Sequence, residues 1–107
     1  MTGFELCGEL SGKIVSGNGE RNLKGCYIGD LLSLAMSRSE EDNVWITVQT
    51  NINIVAVATL TDVGCIVICD GYAPDEDTLE KAKSEDILII TTEKSAYEAA
   101  IGVKNLE

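Results

Sequence analysis

The chain contains no histidine. That single absence removes the Ser-His-Asp triad, the Cys-His pair, the imidazole zinc ligand and the phosphohistidine relay. Thiols are the next candidates for chemistry, at Cys7, Cys26, Cys65 and Cys69. None forms a Cys-x-x-Cys pair. Cys65 and Cys69 fall in an apolar run that reads as a strand, where residues four apart share one face at a separation of about 13 Å. That is too far for a disulfide or for a shared metal ion. All four are therefore expected to be reduced and mostly buried, and neither a metal site nor a cofactor is expected.

Two glycine patterns come close to phosphate-binding loops and fall short. Gly8-Glu-Leu-Ser-Gly12-Lys13 lacks one residue between the glycines, ends in Ile14 where a hydroxyl should hold magnesium, and precedes a strand instead of following one. Gly17-x-Gly19 begins like a dinucleotide fingerprint, but Asn22 stands where the third glycine belongs. Both read as turns. The carboxylate runs Glu40-Glu-Asp42 and Asp75-Glu-Asp77 read as solvated surface and helix-start charges. Asp70 differs, because it directly follows an apolar strand and precedes Gly71. No catalytic residue emerges, and the chain is not expected to be an enzyme.

The elements that position these residues alternate between strand-like and helix-like periods. Lys13 to Ser16, Val44 to Val48, Cys65 to Cys69 and Leu88 to Thr91 read as strands, the third β-branched and continuous as parallel strands tend to be. Tyr27, Ile28, Leu31, Leu32, Ala35 and Met36 recur at helical spacing. Ile52 to Val63 is ambiguous by propensity, but two parallel strands need a crossover of about a dozen residues, usually helical. It is read as a helix, with Ile52, Val55, Ala56, Thr59 and Val63 as its inner stripe. Asp75 to Ser84 is helical by its acidic start and late lysines, and Ser95-Ala-Tyr-Glu98 opens a last helix as a capping box. The expected fold is α/β: a three-layer α/β/α arrangement over residues 1–107, one domain, with a small, mainly parallel central sheet of about four to five strands.

In open parallel sheets, ligands bind beyond the carboxyl ends of the strands. Those ends are expected at Ser16-Gly17-Asn18, Gln49-Thr50-Asn51, Asp70-Gly71 and Thr91-Thr92. They could form a polar floor where helix amino termini offer backbone donors to an anion. The other reading is that they are ordinary turn and N-cap residues, which βα loops require whatever the function.

Charge narrows the partners. With 18 acidic and 8 basic residues the formal net charge is −10, which repels polyphosphate backbones and anionic membranes. No basic cluster offsets it, so neither nucleic acid nor membrane is an expected partner. The start, Met1-Thr-Gly-Phe-Glu5, lacks the basic and apolar segments of a signal peptide, and a cytoplasmic location is expected. The mean hydropathy is positive, +0.10, despite that charge, which suggests apolar surface beyond one monomer's core.

From Gly17 onward the chain resembles the DRTGG domain family. The residues carrying the likeness are Glu20-Arg21, Gly25-Cys26-Tyr27, Gly29-Asp30-Leu31-Leu32, Val44-Trp-Ile-Thr47, Ile54-Val-Ala-Val-Ala58, Gly71-x-x-Pro74-Asp75-x-x-Thr78-Leu79 and Lys81-Ala82. Related modules form the amino-terminal region of HPr kinase/phosphorylase-like proteins and sit beside CBS domains. The resemblance implies self-association and regulation, with kinase chemistry belonging to a separate phosphate-loop domain that these residues do not contain. The leading expectation is a non-catalytic regulatory or assembly module, acting as a homodimer or by docking on a partner protein. The alternative is a sensor of a nucleotide or phosphometabolite. Its candidate ligand-binding residues are Asn18, Glu20, Arg21, Lys24, Gly25, Gln49, Thr50, Asp70, Gly71, Thr91 and Thr92, with Arg21 and Lys24 as the anion contacts.

Overall fold

Five strands hydrogen-bond into one sheet in a computed structural model that describes every residue from Met1 to Glu107. In chain order the elements are α1 (Gly3–Glu9), β1 (Lys13–Ser16), β2 (Cys26–Ile28), α2 (Leu32–Arg38), β3 (Val44–Thr47), α3 (Asn53–Thr61), β4 (Cys65–Ile68), α4 (Glu76–Ser84), β5 (Ile89–Thr91) and α5 (Ala96–Leu106). The sheet order is β1-β5-β4-β3-β2. Strands β2 to β5 are mutually parallel, and β1 alone runs antiparallel, beside β5. The expected α/β class and mainly parallel sheet are what the chain adopts. No helix is long and apolar enough to cross a membrane.

Strand alternation divides the core into two layers. Val44, Ile46, Cys65, Val67 and Ile90 point to the side covered by Leu6 and Leu10 of the α1 region and by Ala99 and Val103 of α5. Trp45, Ile66, Ile68 and Ile89 point to the other side, under Ala35 of α2, Ile54, Val55, Val57 and Ala58 of α3, and Ala82 of α4. With so few aromatic residues, close packing rests on branched aliphatics, and Trp45 is the one large ring in the centre.

Three expectations need correction. Tyr27 and Ile28 lie on a strand, not on the helix that follows. Their spacing to Leu31 fits a helical period, but Gly29 and Asp30 interrupt it, and Cys26, Tyr27 and Ile28 pair in register with Val44, Trp45 and Ile46. Helix α1 was not expected at all, yet Thr2 and Glu5 form the same reciprocal capping box that Ser95 and Glu98 form at α5. The inner stripe of α3 is rotated: Ile54, Val55, Val57 and Ala58 are buried, whereas Ile52, Ala56 and Thr59 face outward. That helix is apolar nearly all round, so period alone could not choose the buried face.

Candidate functional site

Four parallel strands deliver their carboxyl ends to one pole of the sheet, at Gly29-Asp30, Val48 to Asn51, Cys69 to Gly71, and Thr91-Thr92. Because β1 is antiparallel, its beginning, Gly12-Lys13, arrives at this pole, and its end, Ser16 to Asn18, leaves from the opposite one. The eleven candidate residues therefore divide. Gln49, Thr50, Asp70, Gly71, Thr91 and Thr92 lie at the carboxyl pole; Asn18, Glu20, Arg21, Lys24 and Gly25 lie at the amino pole. One shared site cannot include both groups.

Much of the carboxyl pole binds itself. The Asp30 carboxylate accepts from Thr47 Oγ1 at 2.8 Å and from the Val48 amide at 2.9 Å. Gln49 Nε2 donates to the Asp30 carbonyl at 2.9 Å, and Asn51 Nδ2 donates to Gln49 Oε1 at 2.9 Å. The Thr50 carbonyl accepts from Thr78 Oγ1 and from the Asp75 amide, which ties this loop to the start of α4. Thr92 Oγ1 donates to the Leu10 carbonyl at 2.8 Å. Gln49 and Thr92 through their side chains, and Thr50 through its carbonyl, thus have hydrogen-bond partners within the loops of this pole.

Asp70 takes a left-handed conformation, φ 60°, followed by Gly71 at φ 77°. Their amides donate to the Lys94 and Thr92 carbonyls, so neither is free for an anion. What remains open is a cleft of about 250 Å³ at the β1–β5 edge, where Ser11, Lys13 and Thr91 face Gly71, Tyr72 and Glu93. Sequence reasoning missed Lys13, Tyr72 and Glu93 here. For Lys13, only the direction of β1 carries the information.

The amino pole is built around Arg21. Its guanidinium lies 3.0 Å from Asp42 and 3.5 Å from Asp62, both in left-handed turns that lead into β3 and β4. Desolvation works against the charge, but the hydrogen bond to Asp42 and the two carboxylates outweigh it and raise the pKa of Arg21 further. The guanidinium is thereby committed to holding two loops together. Asn18 Oδ1 caps the Glu20 amide at 2.8 Å. Lys24 and Gly25 border a separate hollow with Met1, Leu23, Leu106 and Glu107.

All four cysteines are free thiols: Cys65 and Cys69 buried, Cys7 half-buried, Cys26 exposed on the edge strand. Burial raises the Cys65 pKa far above its ordinary value, and burial with the nearby Asp70 and Asp30 carboxylates pushes Cys69 up to about 12. Cys26 is raised as well, by desolvation from the groups packed around its sulfur although the residue as a whole is exposed, with a smaller push from Glu107. Cys26, Cys65 and Cys69 are therefore not activated nucleophiles. Since the fold favours the protonated thiols, their contribution to stability is complete below about pH 9 and is lost as pH rises toward about 12. Urea midpoints under reductant should fall between about pH 8 and 10.5, with a shallower fall in Cys69→Ala; identical slopes would contradict the assignment. No three thiol or carboxylate side chains converge to hold a metal ion.

Fold and site together define a small α/β module whose mainly parallel sheet ends in polar loops at both poles. The DRTGG domain family model matches residues 5–106, and the chain belongs to that family. Solved structures similar to it include the CBS and DRTGG domains of the regulatory region of Clostridium perfringens pyrophosphatase, complexed with its activator, diadenosine tetraphosphate. The TM-score is 0.77 at 19% identity, over 94% of this chain and 44% of that one. The chain thus spans less than half the length of that neighbour, and the likeness establishes the shared fold. No curated protein matches.

Proposed function

We propose that this domain is a non-catalytic regulatory module that works by association, as a homodimer or docked on a partner protein. The observation that carries this reading is the surface of α2 and α3. Leu31 is 61% exposed and Leu60 73%, with Leu34, Met36 and Ile52 also exposed around them. Neither helix contains an acidic residue, in a chain that has 18. Five of the ten exposed large apolar residues thus belong to this one layer of so acidic a molecule, and such a group marks an interaction surface better than an isolated exposed leucine does.

Sedimentation velocity of the intact chain between roughly 1 and 200 µM tests it. The expected result is a concentration-dependent shift from monomer toward dimer. A monomer throughout that range removes the homodimer and leaves only docking on another protein.

A second reading, sensing of a nucleotide or phosphometabolite, is favoured by the cleft that holds Lys13 and Tyr72, and by the activator bound in the Clostridium perfringens neighbour. The cleft is lined by Glu93 as well as Lys13, in a strongly acidic chain, so a polyanion meets little net attraction there. Thermal melts with diadenosine tetraphosphate, AMP, ATP and acetyl phosphate form the matching arm. No shift with any of them leaves association as the sole reading.

A further inference from the structure

We propose that Asn18 is a self-modifying site, where the turn Gly17-Asn18-Gly19 converts the Asn18 amide into a carboxylate through a cyclic imide and loosens the seat of β1. The chain contains six asparagines. Asn22, Asn43, Asn51, Asn53 and Asn105 are followed by Leu23, Val44, Ile52, Ile54 and Leu106. Those branched side chains hinder the approach of the next amide nitrogen to the asparagine side chain. Asn18 alone precedes a residue without a Cβ.

The fold leaves the reacting atoms uncommitted. Asn18 is exposed, and its Oδ1 accepts from the Glu20 amide at 2.8 Å. That bond folds the side-chain carbonyl back along the backbone, as in an Asx turn. The Gly19 amide nitrogen lies between those two residues in the chain and donates to no protein acceptor, whereas the Gly19 carbonyl is held by the Phe4 amide at 2.8 Å. Attack of the Gly19 nitrogen on Asn18 Cγ forms the new C–N bond, with the Glu20 N–H on the oxygen where negative charge develops. Gly19 is enclosed by Phe4 and Ile14, so its proton passes to water during local openings of the turn. Nδ2 takes up a proton and departs as ammonia. Water then opens the ring at either carbonyl. One opening leaves aspartate at position 18, and the other leaves isoaspartate, whose main chain runs through the former side chain. Asp70-Gly71 is the contrasting pair: there the Gly71 amide donates to the Thr92 carbonyl at 3.0 Å, and a carboxylate is a poor electrophile.

The consequence falls on the amino pole. Asn18 shares a hollow of about 110 Å³ with Arg21, Gly64, Asp86 and Leu88. A carboxylate there adds negative charge beside Asp86 and competes with Asp42 and Asp62 for Arg21. Isoaspartate does more, because its extra main-chain methylene displaces the Asn18 carbonyl from the Arg21 amide, bonded at 3.1 Å. It also shifts Gly17, which lies against the backbone of Leu88, so β1 is held less firmly at the sheet edge.

Prolonged incubation of the intact chain at neutral pH, followed by peptide mapping and labelling with an isoaspartyl methyltransferase, tests this. The peptide containing Asn18 should gain the mass of an acid in place of an amide and accept methyl groups. Its conversion should run at least roughly 10-fold ahead of any other asparagine. Asn18→Gln, which would have to close a larger ring, should stay unlabelled at this position. The isoaspartyl fraction, separated by anion exchange, should melt below the parent. Absence of conversion at Asn18 in the folded chain, while the guanidinium-unfolded chain converts there, would show that the turn shields the amide and would overturn the site. Conversion spread evenly over the other asparagines overturns it as well. Conversion at Asn18 with an unchanged melt overturns the link to β1.

Discussion

Replacing Trp45 with alanine should lower the unfolding free energy by about 3–5 kcal/mol, the range for truncating a fully buried large aromatic. Domains of this size hold only about 5–15 kcal/mol in total. Trp45 is completely buried at the centre of β3, and it packs among Ala35, Ile54, Ile66 and Ile89. Tyr27, its in-register neighbour on β2, packs against the same layer, and its partial shift into the void sets where in that range the loss falls. Its indole Nε1 also donates to the Gly29 carbonyl at 2.9 Å. That bond fixes the turn between β2 and α2, where Asp30 organises the carboxyl pole. Urea denaturation followed by far-ultraviolet circular dichroism is the measurement, since the only tryptophan is the residue removed. Trp45→Phe separates the two contributions: it keeps most of the volume and leaves the Gly29 carbonyl without its donor, at a cost of about 1–3 kcal/mol. A loss below about 1 kcal/mol for the alanine variant would mean that the two core layers do not depend on this ring.

Gly17→Ala should be the second most damaging change, at about 2–4 kcal/mol. Gly17 sits at φ 84°, where a Cβ is strained in any surroundings. A methyl there would lie 2.5 Å from Leu88 Cα and 2.6 Å from the Leu88 amide nitrogen. Both are backbone atoms at the start of β5, so neither can swing aside. Next to it, Ser16 Oγ donates to the Ile87 carbonyl at 2.7 Å, and the β1–β5 register shifts between Ile14 and Ser16. The close approach at Gly17 therefore seats the one antiparallel strand on the sheet. Gly8→Ala is the matched control. It lies within α1 with nothing near its missing side chain, and there alanine should stabilise by about 0.5–1 kcal/mol through helix propensity. Equal midpoints for the two variants would remove Gly17 from this role.

The legible parts of the fold were those carried by strong local signals. Cys65-Ile-Val-Ile68 reads as a central strand because an uninterrupted β-branched run is buried on both faces, and it pairs with β3 and β5. Helix α4 follows Asp75 with Glu76 and Asp77 in its first turn and Lys81 and Lys83 in its last, as its charge order implied. The family likeness was legible as well, since it rests on an ordered series of short pieces along most of the chain. Three-residue β2 was not, because it is too short to show alternation and its apolar residues fall into phase with the helix that follows. The candidate site was legible only in part. Gln49, Asp70, Thr91 and their neighbours follow directly from where the parallel strands end. Placing Arg21 and Lys24 beside them required β1 to be parallel, and nothing within Lys13 to Ser16 specifies direction.

By itself, then, the sequence determined four of the five strands and the helices from α2 onward, and that the chain has no histidine. Those properties reside in local period, propensity and residue type. Tertiary structure alone decided that β1 runs against its neighbours, which sends Lys13 to the carboxyl pole and ties Arg21 to Asp42 and Asp62 at the other. It also decided that Ile52, Ala56 and Leu60 look outward. Strand direction and the buried side of an evenly apolar helix depend on partners distant in the chain, and so they are settled only when the layers pack.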